Sequence, residues 1–420
     1  MTDLHLREGD PPIVCGLDAV LVEHLVAAGV VSATPLGDGR CELRAMQKVG
    51  VVRVAAVTVW IKPKIEISRL LWLLGWSNRA VFEAPGPVSL GPSEDIVSAL
   101  AEAFCSQAER ALQTGLLQGY VDVDGSHSVL RGRLRAGDQL RRRFGLPVPL
   151  LVRYDDYLVD IPENQIIKAA ATRLATIPGI TGPVRARLRS LRGLLADVSN
   201  CASRGPLPVW HPTRLNARYH DALSLAQIVL SNGSIEHEPG QIRLDGFLVD
   251  LYQVFENFVT SSLSARLEQL GGRCQSQDRY TLDEESRIDI RPDLLWRIDG
   301  RAAAVIDAKY KAEKPAGFPQ ADLYQALAYA TAYRLDEAHL VYAKGNEAAQ
   351  RWTVRNSGVR ITAHALDLDQ PSEHILEQMD ALAALIAQPA EAHRPEAWLD
   401  PTRPDGLLSR PGAGGHLAGR

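Results

Sequence analysis

The feature of this sequence that most constrains its fold is a pair of alternating segments on either side of Asp299-Gly300. In residues 293–298 and again in 304–309, one set of alternate positions is apolar, which is the period-two pattern of a β-strand. A Gly in a short connection between two such runs favours a hairpin. The sequence therefore predicts two antiparallel strands joined by a tight loop.

The register of this hairpin decides which side chains share a face. With a two-residue loop, Asp293 would lie opposite Ile306 and would face away from Asp307. With a three-residue loop, 298–300, the side chains of Asp293, Asp307 and Lys309 share one face and the apolar residues share the other. Burial and chemistry favour the second register, so we predict this loop or an equivalent β-bulge.

Two carboxylates and an ammonium on one sheet face would repel or pair unproductively unless a divalent cation lay between the acids. Mg²⁺ prefers hard oxygen ligands and keeps several waters, one of which can be activated to attack phosphorus. We therefore predict that Asp293 and Asp307 hold Mg²⁺ and that Lys309 assists the attacking water. Glu256 borders an apolar helical stripe over 248–263, from which it would supply a third carboxylate.

A helix downstream of the hairpin is expected to present polar side chains. Gln325, Tyr329 and Tyr333 are four residues apart and share one helix face, which suits hydrogen bonding to a phosphate backbone. Packing and capping are the alternative roles for Gln325 and Tyr329, and a solvated position is the alternative for Glu256. The metal site is therefore predicted from the combination of motifs and not from any one of them.

These residues resemble a known superfamily. The chain resembles the PD-(D/E)xK nucleases, including the QxxxY helix of their RecB-like members. The residues that carry this resemblance are Glu256, Pro292-Asp293, Asp307-Ala308-Lys309 and Gln325 with Tyr329. More narrowly, the chain is similar to the McrC family, the endonuclease subunits of McrBC restriction systems, in Phe255-Glu256, Asp307-Ala308-Lys309-Tyr310-Lys311 and Asp322-Leu323-Tyr324-Gln325. Weaker matches lie at 50–51 and 61–65 and, in the middle of the chain, at 130–133, 154–155, 164, 214–216 and 219.

The resemblance implies a subunit that cuts double-stranded DNA containing modified cytosine, and only when it is assembled with a hexameric AAA+ GTPase of the McrB type. It implies that Lys311, Gln325 and Tyr329 contact DNA and that the products carry 5′-phosphate and 3′-hydroxyl ends. It also implies that the N-terminal region, with Lys62 and Lys64, docks on the GTPase and stimulates it. The sequence has neither a G-x-x-x-x-G-K-[ST] nor a G-x-G-x-x-G motif, so this chain is not expected to bind nucleotide.

The expected fold class is α+β with several domains. We predict a β-rich N-terminal domain over 1–90, a mainly helical region over 91–238, an α/β/α nuclease domain of the restriction-endonuclease type over 239–390 and a disordered tail over 391–420. Pro- and Gly-rich stretches suggest these boundaries.

Charge and cysteine content exclude several other classes. The net charge of -4 provides no global attraction to polyanions, and five widely spaced cysteines form no CxxC motif. The polar, acidic start does not resemble a signal peptide, and no stretch is apolar over a length that would span a bilayer, so a cytoplasmic protein is expected. Arginines over 131–143 form a local basic excess. One interpretation is phosphate binding, and the other is a solvated face or salt bridges to acids such as Asp155 and Asp156.

Two other functions remain open at this point. One is a PD-(D/E)xK nuclease that acts in repair without a motor ring and has its own DNA-binding surface. The other is an adaptor that activates a AAA+ GTPase and keeps a nuclease fold only as a scaffold. Cleavage without a partner would favour the first, and cleavage that is unaffected by substitution of Asp307 would favour the second.

Overall fold

The structure is a computed structural model that describes residues 2–77, 95–144, 146–201, 206–232, 244–310, 319–343 and 349–388. Lys311 and the predicted tail, 391–420, lie outside the described residues. In the described part of the chain, no helix is both long enough and apolar enough to cross a membrane.

Strands and helices both occur throughout the described residues, which confirms the α+β class. The strands are β1 Thr2–Arg7, β2 Ile13–Cys15, β3 Val31–Gly37, β4 Arg40–Ala45, β5 Lys48–Val54, β6 Val57–Lys62, β7 Gly119–His127, β8 Arg133–Leu134, β9 Leu150–Leu158, β10 Leu244–Asp250, β11 Arg273–Ser276, β12 Tyr280–Thr281, β13 Asp289–Ile290, β14 Leu294–Ile298, β15 Arg301–Lys309, β16 Glu337–Ala343, β17 Gln350–Thr353 and β18 Arg360–Leu366. The helices are α1 Ala19–Ala27, α2 Ile67–Ser77, α3 Ile96–Leu112, α4 Ala136–Arg143, α5 Pro162–Thr176, α6 Gly182–Leu194, α7 His220–Ser231, α8 Leu251–Gln269, α9 Gln320–Tyr333 and α10 Ser372–Ile386, with a 3₁₀ turn at Ala217–Tyr219.

Strands β2, β4 and β3 form a three-stranded antiparallel sheet, and β1, β5 and β6 form the larger N-terminal sheet, whose order is β1-β6-β5-β10. Its fourth strand, β10, comes from the range predicted for the nuclease domain and runs antiparallel to β5. The two backbones approach so closely at Gly246 that a Cβ atom there would lie 2.3 Å from the carbonyl oxygen of Val51. Strand β10 leads directly into α8, whose first backbone N–H groups are capped by Asp250. The N-terminal sheet is therefore joined to the helix that carries Glu256.

The middle of the chain is helical, as its apolar spacing predicts, but it also contains a small sheet. Helix α3 begins after Asp95, whose carboxylate accepts a hydrogen bond of 2.8 Å from the N–H of Ser98. Strands β7, β9 and β8 form a three-stranded antiparallel sheet inside the range that the sequence indicated as mainly helical. In β7 half-buried and exposed positions alternate along the whole strand, without a fully buried residue. Its apolar signal is therefore weak, although Val121 and Val123 do alternate with acids.

A six-stranded mixed sheet with the order β11-β14-β15-β16-β18-β17 occupies the C-terminal part. Helices α8 and α10 pack together on the face that carries Ala304, Ile306 and Ala308. Helix α9 packs on the opposite face, against β15, β16 and β18. The sheet is therefore covered by helices on both sides, and its central strands are buried.

The hairpin of β14 and β15 places Asp293, Asp307 and Lys309 on one face, as predicted, by a β-bulge and not by a three-residue loop. The loop is the two-residue one, because Ile298 pairs with Arg301. Asp299 and Gly300 both have positive φ, 50° and 77°, as the tight hairpin turn requires. A β-bulge then shifts the register, since Trp296 pairs with Ala304 but Arg297 pairs with Ala302. The three-residue loop is thus wrong and the equivalent bulge is confirmed.

Apolar packing crosses the predicted domain boundaries. One core cluster of the described residues extends from Leu6 and Val51 through Phe104 and Leu174 to Ile386. Between α2 and α8, the rings of Trp72 and Phe258 lie 5.2 Å apart. A second, smaller cluster fills the space between the C-terminal sheet and α9. The N-terminal, middle and C-terminal parts therefore share one core.

Candidate active site

Asp293 and Asp307 come from neighbouring strands of the six-stranded sheet. Leu294 pairs with Ile306, so Asp293, just before β14, lies opposite Asp307. The residues are only 6% and 2% exposed. The N–H of Ala308 donates a hydrogen bond of 2.8 Å to Oδ2 of Asp293. The hairpin thus brings together the two acids that were predicted to meet.

Lys309 lies beside the two acids. Its Nζ forms a buried ion pair with Oδ2 of Asp307 and donates a hydrogen bond of 3.4 Å to the hydroxyl of Tyr252 on α8. In the described part of the chain, Oδ2 of Asp307 accepts no hydrogen bond of normal geometry. This buried oxygen therefore has a cation beside it but keeps an unused acceptor site.

Glu256 reaches the same place from α8, and a glutamine joins it to the hairpin. The side-chain amide of Gln277 donates to Oε1 of Glu256 and, over 3.0 Å, to Oδ1 of Asp293. The N–H of Gln277 donates to the carbonyl of Asp293 over 3.1 Å. Gln277 has φ of 54°, an unfavourable backbone conformation for a residue with a Cβ. All four residues predicted for the catalytic centre are thus gathered at one place.

Burial disfavours charge on all three acids. It raises the pKa of Asp293 to about 6 and the pKa of Asp307 to about 7, and the repulsion from a neighbouring carboxylate adds to both shifts. Burial also raises the pKa of Glu256, which the hydrogen bond from Gln277 partly offsets. Because the two carboxyl groups interact, the proton that they bind near neutral pH belongs to the pair.

Two opposed effects act on the pKa of Lys309. Burial lowers its pKa, but the attraction of Asp307, with which Lys309 forms the ion pair, outweighs burial and leaves the pKa above its usual value. Lys309 is therefore a permanent cation next to a carboxyl whose proton is exchanged near neutral pH. The pKa of Tyr252 is raised to about 12, chiefly by burial, so its hydroxyl stays protonated.

Helix α9 places the predicted DNA-contacting residues next to the hairpin. Gln325 is exposed, and its amide donates to the hydroxyl of Tyr329 over 2.7 Å. Tyr329 is 3% exposed, and its hydroxyl donates to the carbonyl of Arg291 over 3.1 Å. Tyr329 thus supports the segment that leads into Asp293, while Gln325 is accessible to a ligand. A DNA contact by either residue stays a prediction.

The donor set suits Mg²⁺ better than a soft metal, because every ionisable ligand is a carboxylate. In the part of the chain that the structure describes, no three His, Cys, Asp or Glu side chains surround a common metal position. Mg²⁺ does not require three, since one or two carboxylates and several waters are a common ligand set. Asp293 and Asp307, with the unused acceptor on Oδ2 of Asp307, fit this requirement.

The predicted partner-binding lysines lie at the end of β6. Lys62 lines a cavity of about 240 Å³ together with His5, Trp60 and Asp95. Lys64 is exposed, and its Nζ lies 5.9 Å from the centre of the Tyr310 ring.

Two of the six arginines over 131–143, near β8 and α4, form ion pairs with acids. Arg131 pairs with Asp156 over 2.8 Å, and Arg135 pairs with Asp124 over 2.7 Å. For these two arginines, the contacts favour salt bridges over phosphate binding.

The sequence did not indicate two of the residues that contact the predicted site. Gln277 lies in an irregular segment, and nothing in its surroundings points to a position between two acids. Tyr252 has the helical spacing of the apolar stripe, and its contact with Lys309 depends on the angle at which α8 meets the sheet. Only tertiary packing reveals these two contacts.

A family model described as "McrBC 5-methylcytosine restriction system component" matches residues 43–343. The match spans well over half of the 420 residues, so the chain belongs to this family, and the predicted resemblance to McrC is confirmed. Among curated proteins, none matches this chain.

Two solved structures are similar to the chain. One belongs to the refined half-complex from the tetradecameric assembly of Thermococcus gammatolerans McrB AAA+ hexamers with bound McrC, with TM-score 0.58, 18% identity and coverage of 92% of this chain and 100% of that chain. The other belongs to the cryo-EM structure of the Thermococcus gammatolerans McrBC complex, with TM-score 0.40, 18% identity and coverage of 63% and 88%. The first of these likenesses shows that the overall fold is shared.

Proposed function

We propose that this chain is a Mg²⁺-dependent DNA endonuclease that acts as a subunit of an McrBC-type, modification-dependent restriction system. Its family is that of McrBC restriction components, and the T. gammatolerans complex whose fold it shares contains McrB AAA+ hexamers with bound McrC. A AAA+ GTPase of the McrB type is therefore the proposed partner. The C-terminal sheet and its covering helices would form the nuclease domain of the PD-(D/E)xK type.

The observation that carries the proposal is the buried pair of Asp293 and Asp307 with Lys309 beside it. Two acids held in contact have raised pKa values, which costs free energy unless a ligand uses them. Oδ2 of Asp307 keeps an acceptor site that no described hydrogen-bond donor fills. A buried group of this kind supports a role in binding or catalysis.

Each residue has a distinct task in the proposed reaction. Asp293 and Asp307 would hold Mg²⁺, which supplies Lewis acidity to activate water and to stabilise negative charge on the phosphate. Lys309 stays protonated and would orient the water or donate a hydrogen bond to a phosphate oxygen. Tyr252 limits the positions that Nζ of Lys309 occupies, and Gln277 sets the spacing of Glu256 and Asp293.

The test is the substitution Asp307→Asn in the full chain, assembled with a McrB-type GTPase. Cleavage of plasmid DNA that contains 5-methylcytosine is measured with Mg²⁺ and GTP, and GTP hydrolysis is measured in parallel. We expect cleavage to fall by a factor of about 100 or more, while stimulation of GTP hydrolysis is unchanged. Asp336→Asn is the matched control, because Asp336 is exposed on the turn before β16.

The other outcomes separate the alternatives. Full cleavage by the Asp307→Asn variant would contradict the catalytic assignment and would favour an adaptor without nuclease activity. Efficient cleavage by the wild-type chain with Mg²⁺ alone, without a GTPase or GTP, would favour a stand-alone nuclease.

A further inference from the structure

Tyr310 directly follows the proposed catalytic residue Lys309, but its side chain is fixed by the other end of the chain. It is 2% exposed, and its hydroxyl donates a hydrogen bond of 3.2 Å to Oε2 of Glu8. Glu8 follows β1 in the N-terminal sheet, 302 positions earlier in the sequence. The strand that carries Asp307 therefore ends on a contact with the N-terminal sheet.

Gln47, just before β5 of the N-terminal sheet, contacts both elements that supply the site. Its side-chain amide donates to the carbonyl of Tyr310 over 3.3 Å. Its own carbonyl accepts a hydrogen bond of 3.0 Å from the N–H of Leu251, the first residue of α8. One residue just before β5 thus fixes the end of β15 and the start of the helix that carries Tyr252 and Glu256.

A buried carboxylate such as that of Glu8 is unusual in a contact that has only a structural role. Glu8 is 4% exposed, and Oε1 has no hydrogen-bond partner within the described part of the chain. Oε2 also accepts a hydrogen bond of 3.3 Å from the N–H of Lys64. A buried carboxylate with one unsatisfied oxygen costs free energy that a neutral side chain would not. The same charge, however, makes the contact sensitive to what happens at the exposed Lys64.

We propose that Tyr310 is a positioning residue through which the N-terminal sheet fixes the catalytic strand. We name the group formed by Glu8, Gln47, Lys64 and Tyr310 the Tyr310 clamp. Through this clamp, binding of a partner to the N-terminal sheet would affect the position of the catalytic strand. This inference rests on the proposed function, in which Lys64 contacts the GTPase partner. A partner that engages Lys64 would act on Glu8 through one backbone bond and on Lys309 through Tyr310.

Packing alone does not require the Tyr310 hydroxyl. The Tyr310 ring lies 5.8 Å from the ring of Phe255 and belongs to the main apolar core. A phenylalanine at position 310 would keep these ring contacts and lose only the bond to Glu8. The clamp and the packing can therefore be separated by removing one oxygen atom.

The experiment compares five variants of the full chain, four single variants and one double variant, with the wild type in the assembled complex with a McrB-type GTPase. Tyr310→Phe and Glu8→Leu break the bond from its two sides, whereas Glu8→Gln keeps an oxygen that can accept it. Tyr219→Phe is the matched control, because Tyr219 is fully buried and its hydroxyl accepts a hydrogen bond of 2.8 Å from the N–H of Leu117. DNA cleavage, GTP hydrolysis and the melting temperature are measured for each.

We expect Tyr310→Phe and Glu8→Leu each to reduce kcat for cleavage by about tenfold, because a small misplacement of the catalytic strand is costly. The double variant should be no worse than either single variant, since both remove the same bond. Glu8→Gln should retain cleavage within about threefold of the wild-type rate. GTP hydrolysis should be unchanged in all of them, and Tyr219→Phe should lower the melting temperature without loss of cleavage.

Two results would overturn the clamp while leaving the proposed function intact. One is cleavage by Tyr310→Phe within about twofold of the wild-type rate. The other is an equal loss of cleavage in Tyr219→Phe, which would mean that any lost buried hydroxyl has this effect. If Asp307→Asn, assayed beside these variants, still cleaves DNA, the catalytic assignment in the proposed function fails, and the clamp fails with it.

Discussion

Asp307 is a carboxyl group whose surroundings oppose its own ionisation. It is buried, it lies beside Asp293, and its favourable contact with Lys309 only partly compensates for these effects. Side chains in such positions lower the free energy of unfolding and are typical of functional sites. The candidate site is therefore expected to be a local weak point of the fold in the absence of metal.

The pH dependence of stability tests this expectation. The folded-state pKa of Asp307, about 7, lies above its usual value of 3.8. The stability that the protonated carboxyl contributes to the folded state is therefore fully present below about pH 4 and is lost as the pH rises through 7. In a chelating buffer at about pH 8, Asp307→Asn should raise the free energy of unfolding by about 2 kcal/mol. At about pH 4 the gain should vanish. Urea unfolding at both pH values measures it, and a gain that does not depend on pH would contradict the assignment.

Gln277 combines an unfavourable backbone conformation with two side-chain bonds. Gln277→Ala and Gln277→Gly both remove the amide that joins Glu256 and Asp293, so both variants should be less stable than the wild type. The glycine variant should nevertheless be more stable than the alanine variant by about 1 kcal/mol, because glycine adopts a φ of 54° without strain. Urea unfolding of the pair measures the difference. Equal stability would mean that the positive φ is not retained.

At the scale of elements, the hairpin of β14 and β15 decides whether the site exists. Its two-residue turn alone would set Asp293 opposite Ile306, and the bulge near Ala303 moves the register by one residue. The alternation of the two segments predicted which residues share a face, because a shift by one residue would divide the apolar face whereas a shift by two residues would not. The alternation did not determine whether the extra residue lies in the loop or in a β-bulge.

The turn makes a testable contribution to stability. Gly300 has φ of 77°, and a Cβ atom there would meet no other atom within 4 Å, so any effect of a methyl group is conformational. Gly300→Ala should lower the free energy of unfolding by about 1 kcal/mol. Gly137 in α4 also has free space around it but lacks a positive φ, so Gly137→Ala should be neutral or stabilising. Similar losses in both variants would contradict this explanation.

At the scale of the whole molecule, the N-terminal sheet and the C-terminal sheet are connected through β10 and α8. Strand β10 completes the first sheet, and the helix that follows it packs on the second. Because the apolar core is continuous between them, neither sheet is expected to unfold without the other. Glu256 lies on α8, so a displacement of the N-terminal sheet would reach it through this helix.

Unfolding of the full chain should therefore be one transition, with tryptophan fluorescence and far-ultraviolet circular dichroism changing together. Gly246→Ala should lower the free energy of unfolding by about 2 kcal/mol or more, since its Cβ would lie 2.3 Å from a backbone oxygen of β5. Both signals should then change at a lower urea concentration. Gly182→Ala is the control, because nothing lies within 4 Å of the added methyl group. Two separate transitions in the wild type would show that the core is not shared in solution.

The sequence by itself determined the elements whose signals are local. Period-two alternation defined the hairpin, helical spacing defined α3 and α5, and residue type defined which side chains could hold a divalent ion. Asp293, Asp307 and Lys309 were predictable because they lie on two strands joined by a short turn, so that one register relates all three. The weakly patterned β7 was missed because a strand without fully buried positions has little apolar signal.

Only the tertiary structure decided how distant segments meet. The contact of Gln277 with Glu256, the bond from Tyr310 to Glu8 and the pairing of β10 with β5 join residues 21, 302 and about 195 positions apart. No periodicity encodes such contacts, because they depend on the angles at which sheets and helices pack. Local pattern specified the chemistry of this chain, and packing at long range specified what holds that chemistry in place.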